Sequence, residues 1–492
     1  MATPETDSTA PAASSPVRLT SIPAIKNAPF PAEGNGYFSN EFLAFIVLAI
    51  PWVVKRSLPL VNYGGWTTYW IMVIILGVPI TVSYWQLASM FGSRLNNKLA
   101  FPGRPIEDYI EIKDQALKKE YHGNNKIPIQ VFHDAYFDGK IEFKGDPLDV
   151  LEWRHDWAKF TFTPELWKYF FTHFLPEVIV HSQSQDEEQV RDHYDRGDDF
   201  YEWFLGPRMV YTSGVVTDIT REETLEELQD NKLTLVCEKL DLKETDRLLD
   251  IGCGWGTLAA FASKNYGCDA TGITLGRNQT AFGNKRISEN GVSPEKARIL
   301  CMDYREIPNT PGHYTKIVSL EMAEHVGIRR YGAFLRQVYD LLDDDGLFVL
   351  QVAGFRPRWQ YEDLIWGLFM NKYVFPGADA SIPLNWVLKE VEKVGFEVKS
   401  IDVLGVHYSA TLWRWYKNWL SNEEKVLGKY GDRWNRIWKY FLASAVIASR
   451  QGSASVFQIT LHKNLNAFHR IEGVPSHTSL HFKPRKPIQT VV

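Results

Sequence analysis

The chain lacks the features by which a sequence declares a metal centre, a disulfide framework or a nucleic-acid partner. Its 492 residues hold only four cysteines, Cys237, Cys253, Cys268 and Cys301, and no two are spaced C-x-x-C. Neither a zinc site nor a disulfide scaffold is therefore expected, no metal is assigned, and a reducing compartment is the default. Basic charge is not in excess: 54 Lys and Arg stand against 59 Asp and Glu, a net charge of -5. No bulk attraction draws such a chain to nucleic acid. The N-terminus has no charged-then-apolar signal-peptide design. Residues 1–36 open "MATPETDSTAPAASSPV", lack apolar periodicity and are expected to form a disordered tail. What is plentiful is aromatic, with 17 Trp, 22 Tyr and 28 Phe, which suits apolar ligands and bilayers as well as an aromatic-rich core.

Residues 37–93 read as a membrane region. "WTTYWIMVIILGVPITVSYWQLASMF" (Trp66 to Phe91) lies in a stretch free of charge from Ser57 to Ser93. It exceeds the roughly 20 residues needed to cross a hydrocarbon core. Trp66, Tyr69 and Trp70 at one end and Tyr84 and Trp85 at the other form aromatic belts. The preceding run "FLAFIVLAIPWVV" (Phe42 to Val54) is shorter and contains Pro51; it is either a second, thin span beginning near Gly36 or a helix re-entering the interface. One or two transmembrane helices are expected, against the alternative of helices buried in a soluble domain.

Residues 94–187 are polar and aromatic, and "GDPLDVLEWRHDWAKFTFTPELWKYFFTHFL" promises amphipathic helices in a linking region. From 188 to 492 strands and helices alternate. "DRLLDI", "CDATGIT", "ARILCMD", "TKIVSLE" and "GLFVLQV" are short apolar strands separated by helical stretches, the pattern of an α/β doubly wound parallel sheet. "FEVKSIDVL" and "ASVFQITLHK" read as antiparallel final strands.

The first strand runs into "DIGCGWG", where Gly252, Gly254 and Gly256 let the backbone turn sharply and approach a ligand. A dinucleotide site would add a third glycine at G-x-G-x-x-G spacing and an acidic residue ending the second strand; "GITLGRNQ" has none. Asp250, just before the turn, is placed to orient a ligand carrying an ammonium and a sulfonium. A turn that only packs is the alternative.

More than half of the chain, from "HYDRGDDFYEWFLGPRMVYTSGVV" (His193 to Val216) to the last strands, resembles the cyclopropane fatty acid synthase and mycolic acid methyltransferase family. The matching blocks are "TLEELQDNKLTLVCEKLDL", "LLDIGCGWGTLA", "GITLGRNQ", "MDYRE" and "IVSLEMAEHVG". With the N-terminal runs and "GDPLDVLEWRHDW" the whole chain resembles the fungal sphingolipid C9-methyltransferases. That resemblance implies a class I S-adenosylmethionine-dependent methyltransferase with a Rossmann-like sheet. It implies that S-adenosylmethionine is held by Tyr211 and Thr212 at its methionine end, by Asp250 and Gly252, Cys253, Gly254 and Gly256 at the turn, by Thr274 and Gln279 on the ribose side, and by Asp303 and Tyr304 at the adenine. His193 and Tyr194 open the matching block and either close over the cofactor or pack.

The family removes a proton with bicarbonate held by Cys, Glu, His and Tyr. Here Glu324 matches the Glu and Tyr440 the Tyr, whereas Ser213 replaces the Cys and Gln351 the His. Bicarbonate, water, or Glu324 acting itself are the open choices for the base, and a Glu324 that merely pairs locally is the alternative to all three. The implied reaction is C-methylation of the Δ8 double bond of a sphingoid base in ceramide or glucosylceramide. It implies a membrane-embedded enzyme of the endoplasmic reticulum with its catalytic domain in the cytosol, where the cofactor is made. A cyclopropane synthase acting on phospholipid acyl chains, and an inactive lipid-binding protein, are the competing readings. No residue pattern specifies an oligomer.

Overall fold

The computed structural model describes residues 22–26, 39–59, 62–91, 101–174, 176, 197–357, 361–376 and 382–465. Most of the expected tail, with His193 and Tyr194, lies outside the described residues.

Two helices open the chain: α1 (Asn40–Ser57) and α2 (Gly65–Phe91). Ser39 starts α1 as its cap, its hydroxyl accepting from the Phe42 amide at 3.1 Å. The pair is antiparallel. Tyr69 of α2 donates its hydroxyl to the Leu48 carbonyl at 3.1 Å, and the Ser39 amide donates to the Tyr84 hydroxyl at 3.3 Å. Pro51 sits inside α1 without ending it. Phe42, Phe45 and Trp52 on α1, and Trp66, Ile74, Ile75 and Phe91 on α2, are exposed, the arrangement of a hairpin whose apolar surface has no protein to cover it. Among the described residues one helix, α2, is long and apolar enough to cross a membrane.

The linking region is not purely helical. Ile110–Ile112 pairs antiparallel with Ile141–Phe143, and Ile127–Pro128 pairs in parallel with Ala158–Lys159; α3 (Ile129–Phe137) stands among them. β-branched Ile110, Ile112, Ile127 and Ile141 in three of these four short segments favour extension over helix. Its core is shared, not separate. Phe132, Leu151 and Trp157 pack in one cluster with Phe200, Phe204, Trp415, Trp419 and Trp438 from farther down the chain. These last residues lie on α4 (Asp198–Leu205), α10 (Gly405–Ser421) and α11 (Asp432–Arg450).

Seven strands form the central sheet: β1 (Arg247–Ile251), β2 (Asp269–Thr274), β3 (Ala297–Cys301), β4 (Tyr314–Leu320), β5 (Leu342–Phe355), β6 (Phe396–Val403) and β7 (Ala454–Lys463). Their order is β6-β7-β5-β4-β1-β2-β3. The five strands expected as parallel are parallel, and β7 runs antiparallel to both β5 and β6. Side chains alternate across the sheet. Leu249, Phe348 and Leu350 face one core with Phe334 and Val338 of the helix α8 (Tyr331–Leu341). Leu248, Leu347 and Val349 face the other core with Val236 of α5 (Leu225–Lys239) and Leu258 of α6 (Thr257–Tyr266). A capping box, Thr224 with Glu227, starts α5 and is worth about 1 kcal/mol. The chain reverses direction across the sheet between β1 and β4, so the carboxyl ends of these strands open the crevice where such sheets bind ligands.

Candidate active site

That crevice is a cavity of about 1150 Å³ including its mouth. Much of its wall follows strand ends: the glycine turn after β1, Thr274 at the end of β2, Asp303 and Tyr304 beyond β3, and Glu321 directly after β4; Tyr211, Thr212 and Lys232 close it from segments before the sheet. The turn is pinned by the Gly252 and Cys253 amides, which both donate to the Ile273 carbonyl at 3.0 Å. Gly254 has φ +53°, and a Cβ there meets no protein atom within 4 Å, because that side of the residue opens on the cavity. Gly256 differs. It has φ +72°, and a Cβ would come within 2.9 Å of Ile299 and 3.1 Å of the Gly283 Cα. It lets α6 pack closely against α7 (Arg277–Glu289) and is absent from the cavity wall; every other residue expected to hold the cofactor lines it.

Burial sets the electrostatics. Asp250 is held almost wholly out of water, which pushes its carboxyl up to about 7 against the opposing pull of Lys232. Lys232 is itself buried on α5 and pushed down to about 8, and its ammonium donates to the Thr212 hydroxyl at 2.8 Å. Glu321 is also raised by burial. Two desolvated carboxylates thus share one lysine as the nearby cation, and a cationic ligand would relieve them. Around the mouth, the Thr274 hydroxyl donates to Gln279 at 2.5 Å, and Arg305 clamps Asp303 while lying over the Tyr304 ring at 5.4 Å. A wall that offers carboxylates, a hydroxyl–amide pair and an aromatic face, with an open glycine between them, fits S-adenosylmethionine, which carries an ammonium, a sulfonium, a ribose and an adenine.

Sequence reading missed Glu321 and Lys232. Glu321 adopts φ +54°, a left-handed conformation that costs a side-chain-bearing residue roughly 1–3 kcal/mol. It is the hub of three expected catalytic positions. Its Oε1 accepts from the Ser213 amide at 2.9 Å and from the Gln351 side chain at 2.6 Å. Glu324, on the short turn Ala323–His325, is raised to about 8, first by burial and then by the Glu321 charge. One of its oxygens accepts from the Ala353 amide; Oε2 is buried with no hydrogen-bond partner among the described residues. Ser213, Gln351 and Glu324 therefore converge about Glu321.

Tyr440 does not join them. It is buried on α11 against His133 at a ring separation of 4.6 Å and against Phe369 at 4.9 Å, in a different cavity. Bicarbonate is not fitted by the residues present. The Ser213 hydroxyl already donates to the Gly214 carbonyl at 2.9 Å, and the Gln351 amide is committed to Glu321 while its oxygen accepts from Gln458 at 2.8 Å. With those donors used and two carboxylates close by, an anion would meet repulsion instead of hydrogen bonds.

The model of the mycolic acid cyclopropane synthetase family matches residues 181–459. The chain belongs to that family, in its sphingolipid C9-methyltransferase branch. It is 58% identical to Sphingolipid C9-methyltransferase A of Emericella nidulans, over 97% of this chain and 92% of that one. It is also 58% identical to the Sphingolipid C9-methyltransferase of Komagataella phaffii, over 92% and 94% respectively. Among solved structures, mycolic acid cyclopropane synthase CmaA1 complexed with SAH and CTAB superposes with a TM-score of 0.52 at 27% identity, covering 56% of this chain and 98% of that one. This family member is an S-adenosylmethionine-dependent methyltransferase of class I fold.

Proposed function

We propose that the protein methylates C9 of the Δ8 double bond of a sphingoid base, in ceramide or glucosylceramide, at the membrane. The observation that carries this reading is the carboxylate-walled glycine cavity in a chain that matches sphingolipid C9-methyltransferases over nearly its full length. When bound, S-adenosylmethionine supplies an electrophilic methyl group. Tyr211, Thr212, Asp250, Gly252, Cys253, Gly254, Thr274, Gln279, Asp303 and Tyr304 hold it, and Gly256 shapes the turn from behind.

An isolated alkene has no acidic proton to remove in advance, so the chain's own residues act in other ways. Aromatic faces near the cavity, Tyr201 with Tyr211 at 5.6 Å and with Trp255 at 5.0 Å, keep water out and tolerate positive charge developing on the lipid carbon. Methyl transfer to C9 leaves the positive charge on C8; Glu324 then takes the remaining hydrogen of C9 as a proton onto Oε2, the oxygen that no donor among the described residues occupies. Loss from C9 restores the Δ8 bond with its methyl branch; loss from the new methyl would close a cyclopropane. Ser213 and Gln351 hold Glu321, and through it set the charge that Glu324 feels. Glu321 and Glu324 act as a coupled pair.

The α1–α2 hairpin anchors the enzyme in the endoplasmic reticulum membrane, with both ends of the hairpin and the catalytic domain on the cytosolic side. Supplying the purified full chain and cofactor with Δ8-unsaturated ceramide, Δ8-unsaturated glucosylceramide or a monounsaturated phospholipid in separate vesicles tests the assignment. A sphingolipid product with one added methylene and its double bond retained supports it. Cyclopropanated phospholipid as the main product overturns it.

A further inference from the structure

Residues 129–160 of the linking region, which lie before residues 181–459 matched by the family, build a second cavity against the catalytic domain. Its empty space, counted together with its opening to solvent, is about 460 Å³. Ile129, His133, Leu151, Arg154 and Phe160 form one wall, and α11 together with the helix α9 (Tyr361–Phe369) form the other. Its apolar residues are those of an ordinary core. Its polar ones are not.

His133 is 1% exposed, and neither ring nitrogen has a hydrogen-bond partner among the described residues. Leaving a buried polar group unsatisfied costs about 1–3 kcal/mol, so such a group marks a place where a partner is missing. Burial pushes His133 down to about 3, which leaves it a neutral imidazole with one donor and one acceptor. Tyr440 beside it is raised by burial and stays a phenol. The charged groups on the wall are already neutralised: Arg154 pairs with Glu362, which also accepts from His155 at 2.8 Å, and Asp363 pairs with Arg356 at 2.8 Å. Among the described residues no unpaired cation lines the space. The wall therefore suits a neutral ligand rich in donors and acceptors, and it offers nothing to a phosphate.

Packed aromatic rings link the elements that wall this cavity to the membrane helix on one side and to the cofactor cavity on the other. Trp85 near the end of α2 stacks on Phe162 at 5.8 Å, and Phe162 meets Tyr361 of α9 edge-on at 6.5 Å. On the other side, Phe441, next to Tyr440, contacts Phe375 at 5.7 Å, and Phe375 contacts Tyr211 of the cofactor cavity at 6.1 Å.

We propose that this second cavity binds the neutral amide-and-hydroxyl end of the sphingoid lipid, with His133 and Tyr440 as its hydrogen-bonding partners, and so positions the chain's double bond at the cofactor cavity. The proposal rests on the function proposed above and adds to it the part of the chain that selects the lipid class. Tyr440 is on this view a binding residue, not part of the proton-removing group.

The test uses the full chain in lipid nanodiscs, with a fluorescent short-chain ceramide and a short-chain phosphatidylcholine as probes. His133→Leu removes the two nitrogens; Ala448→Leu fills the cavity from α11 without touching a polar group. Each should weaken ceramide binding and raise the KM for Δ8-unsaturated ceramide about tenfold, the equivalent of one lost hydrogen bond. S-adenosylmethionine affinity and kcat should stay within about twofold. If His133→Leu does not fold, Ala448→Leu decides. Wild-type ceramide affinity in a folded variant, or phosphatidylcholine binding as tight as ceramide, overturns the proposal. Ceramide binding that the variants weaken, without methyl transfer by the wild type to any sphingolipid, leaves the cavity standing and removes the proposed function instead.

Discussion

Glu324→Gln isolates proton removal from everything else the site does. The substituted amide keeps an oxygen to accept from the Ala353 amide, so the turn Ala323–His325 should hold its shape. What is lost is the buried basic oxygen. A carboxyl raised to about 8 is ionised in about one molecule in ten at pH 7 and in about nine in ten at pH 9. A base works only when ionised, so single-turnover methylation at saturating cofactor and lipid should rise with pH, about tenfold between pH 7 and 9. The limb belongs to the coupled Glu321–Glu324 pair. The substitution should lower the single-turnover rate by about 10²–10⁴ and abolish that limb. Cofactor affinity by calorimetry should be unchanged or slightly improved, because removing the Glu324 charge also relieves Glu321. A variant that turns over within about threefold of wild type, with the same pH limb, would show that Glu324 is structural and that Glu321 must be tested as the base.

Gly254→Leu should abolish cofactor binding, since its Cβ meets cavity space and no protein atom within 4 Å, at a cost to stability of roughly 1–3 kcal/mol for a left-handed backbone; wild-type affinity by calorimetry would overturn the assignment of the turn. Cofactor binding should weaken as pH falls below about 7 and should release a proton near that pH, because Asp250 must ionise to face a cation; calorimetry in buffers of differing ionisation enthalpy reads this directly. Ligand-free stability should fall as pH rises from about 6.5 to 8. The folded chain keeps protons on Asp250 and Glu324 there that the unfolded chain has given up, and His133, which burial lowers and which acts in the opposite sense, titrates below that window; urea midpoints that rise across it would contradict this. A glycosylation tag in the loop near Asn62 should be modified and one at the N-terminus should not, and a modified N-terminus would sink the hairpin orientation.

The sheet was legible because its strands carry their own signal. Apolar runs of six to ten residues between helical stretches, and a glycine turn after the first, predict β1 to β5 and the antiparallel finish of β6 and β7. The cofactor wall was legible because it follows strand ends in sequence. Glu321 and Lys232 were not. Lys232 sits in "LEELQDNKLTLVCEK", where a lysine reads as the polar face of a helix, and only the packing of α5 against the sheet turns it inward. Glu321 follows β4 immediately, a position at which a doubly wound sheet presents ligand groups, and that was the available signal. Tyr440 was placed on its helix by motif match, yet which cavity a residue of α11 faces depends on what packs against that helix. Here the packing partner is the linking region, whose short strands of isoleucine were hidden among stronger helical patterns.

The central claim is methyl transfer to a sphingoid double bond with retention of that bond. Lipid profiling of cells with and without the protein, grown with methyl-labelled methionine and read by fragmentation mass spectrometry, tests it most directly. The account predicts a labelled sphingoid base carrying one extra methylene, placed at C9 with the Δ8 double bond intact, present only when the protein is present and lost with Glu324→Gln. An unchanged sphingolipid profile, with label appearing instead in cyclopropanated phospholipid chains, would contradict it.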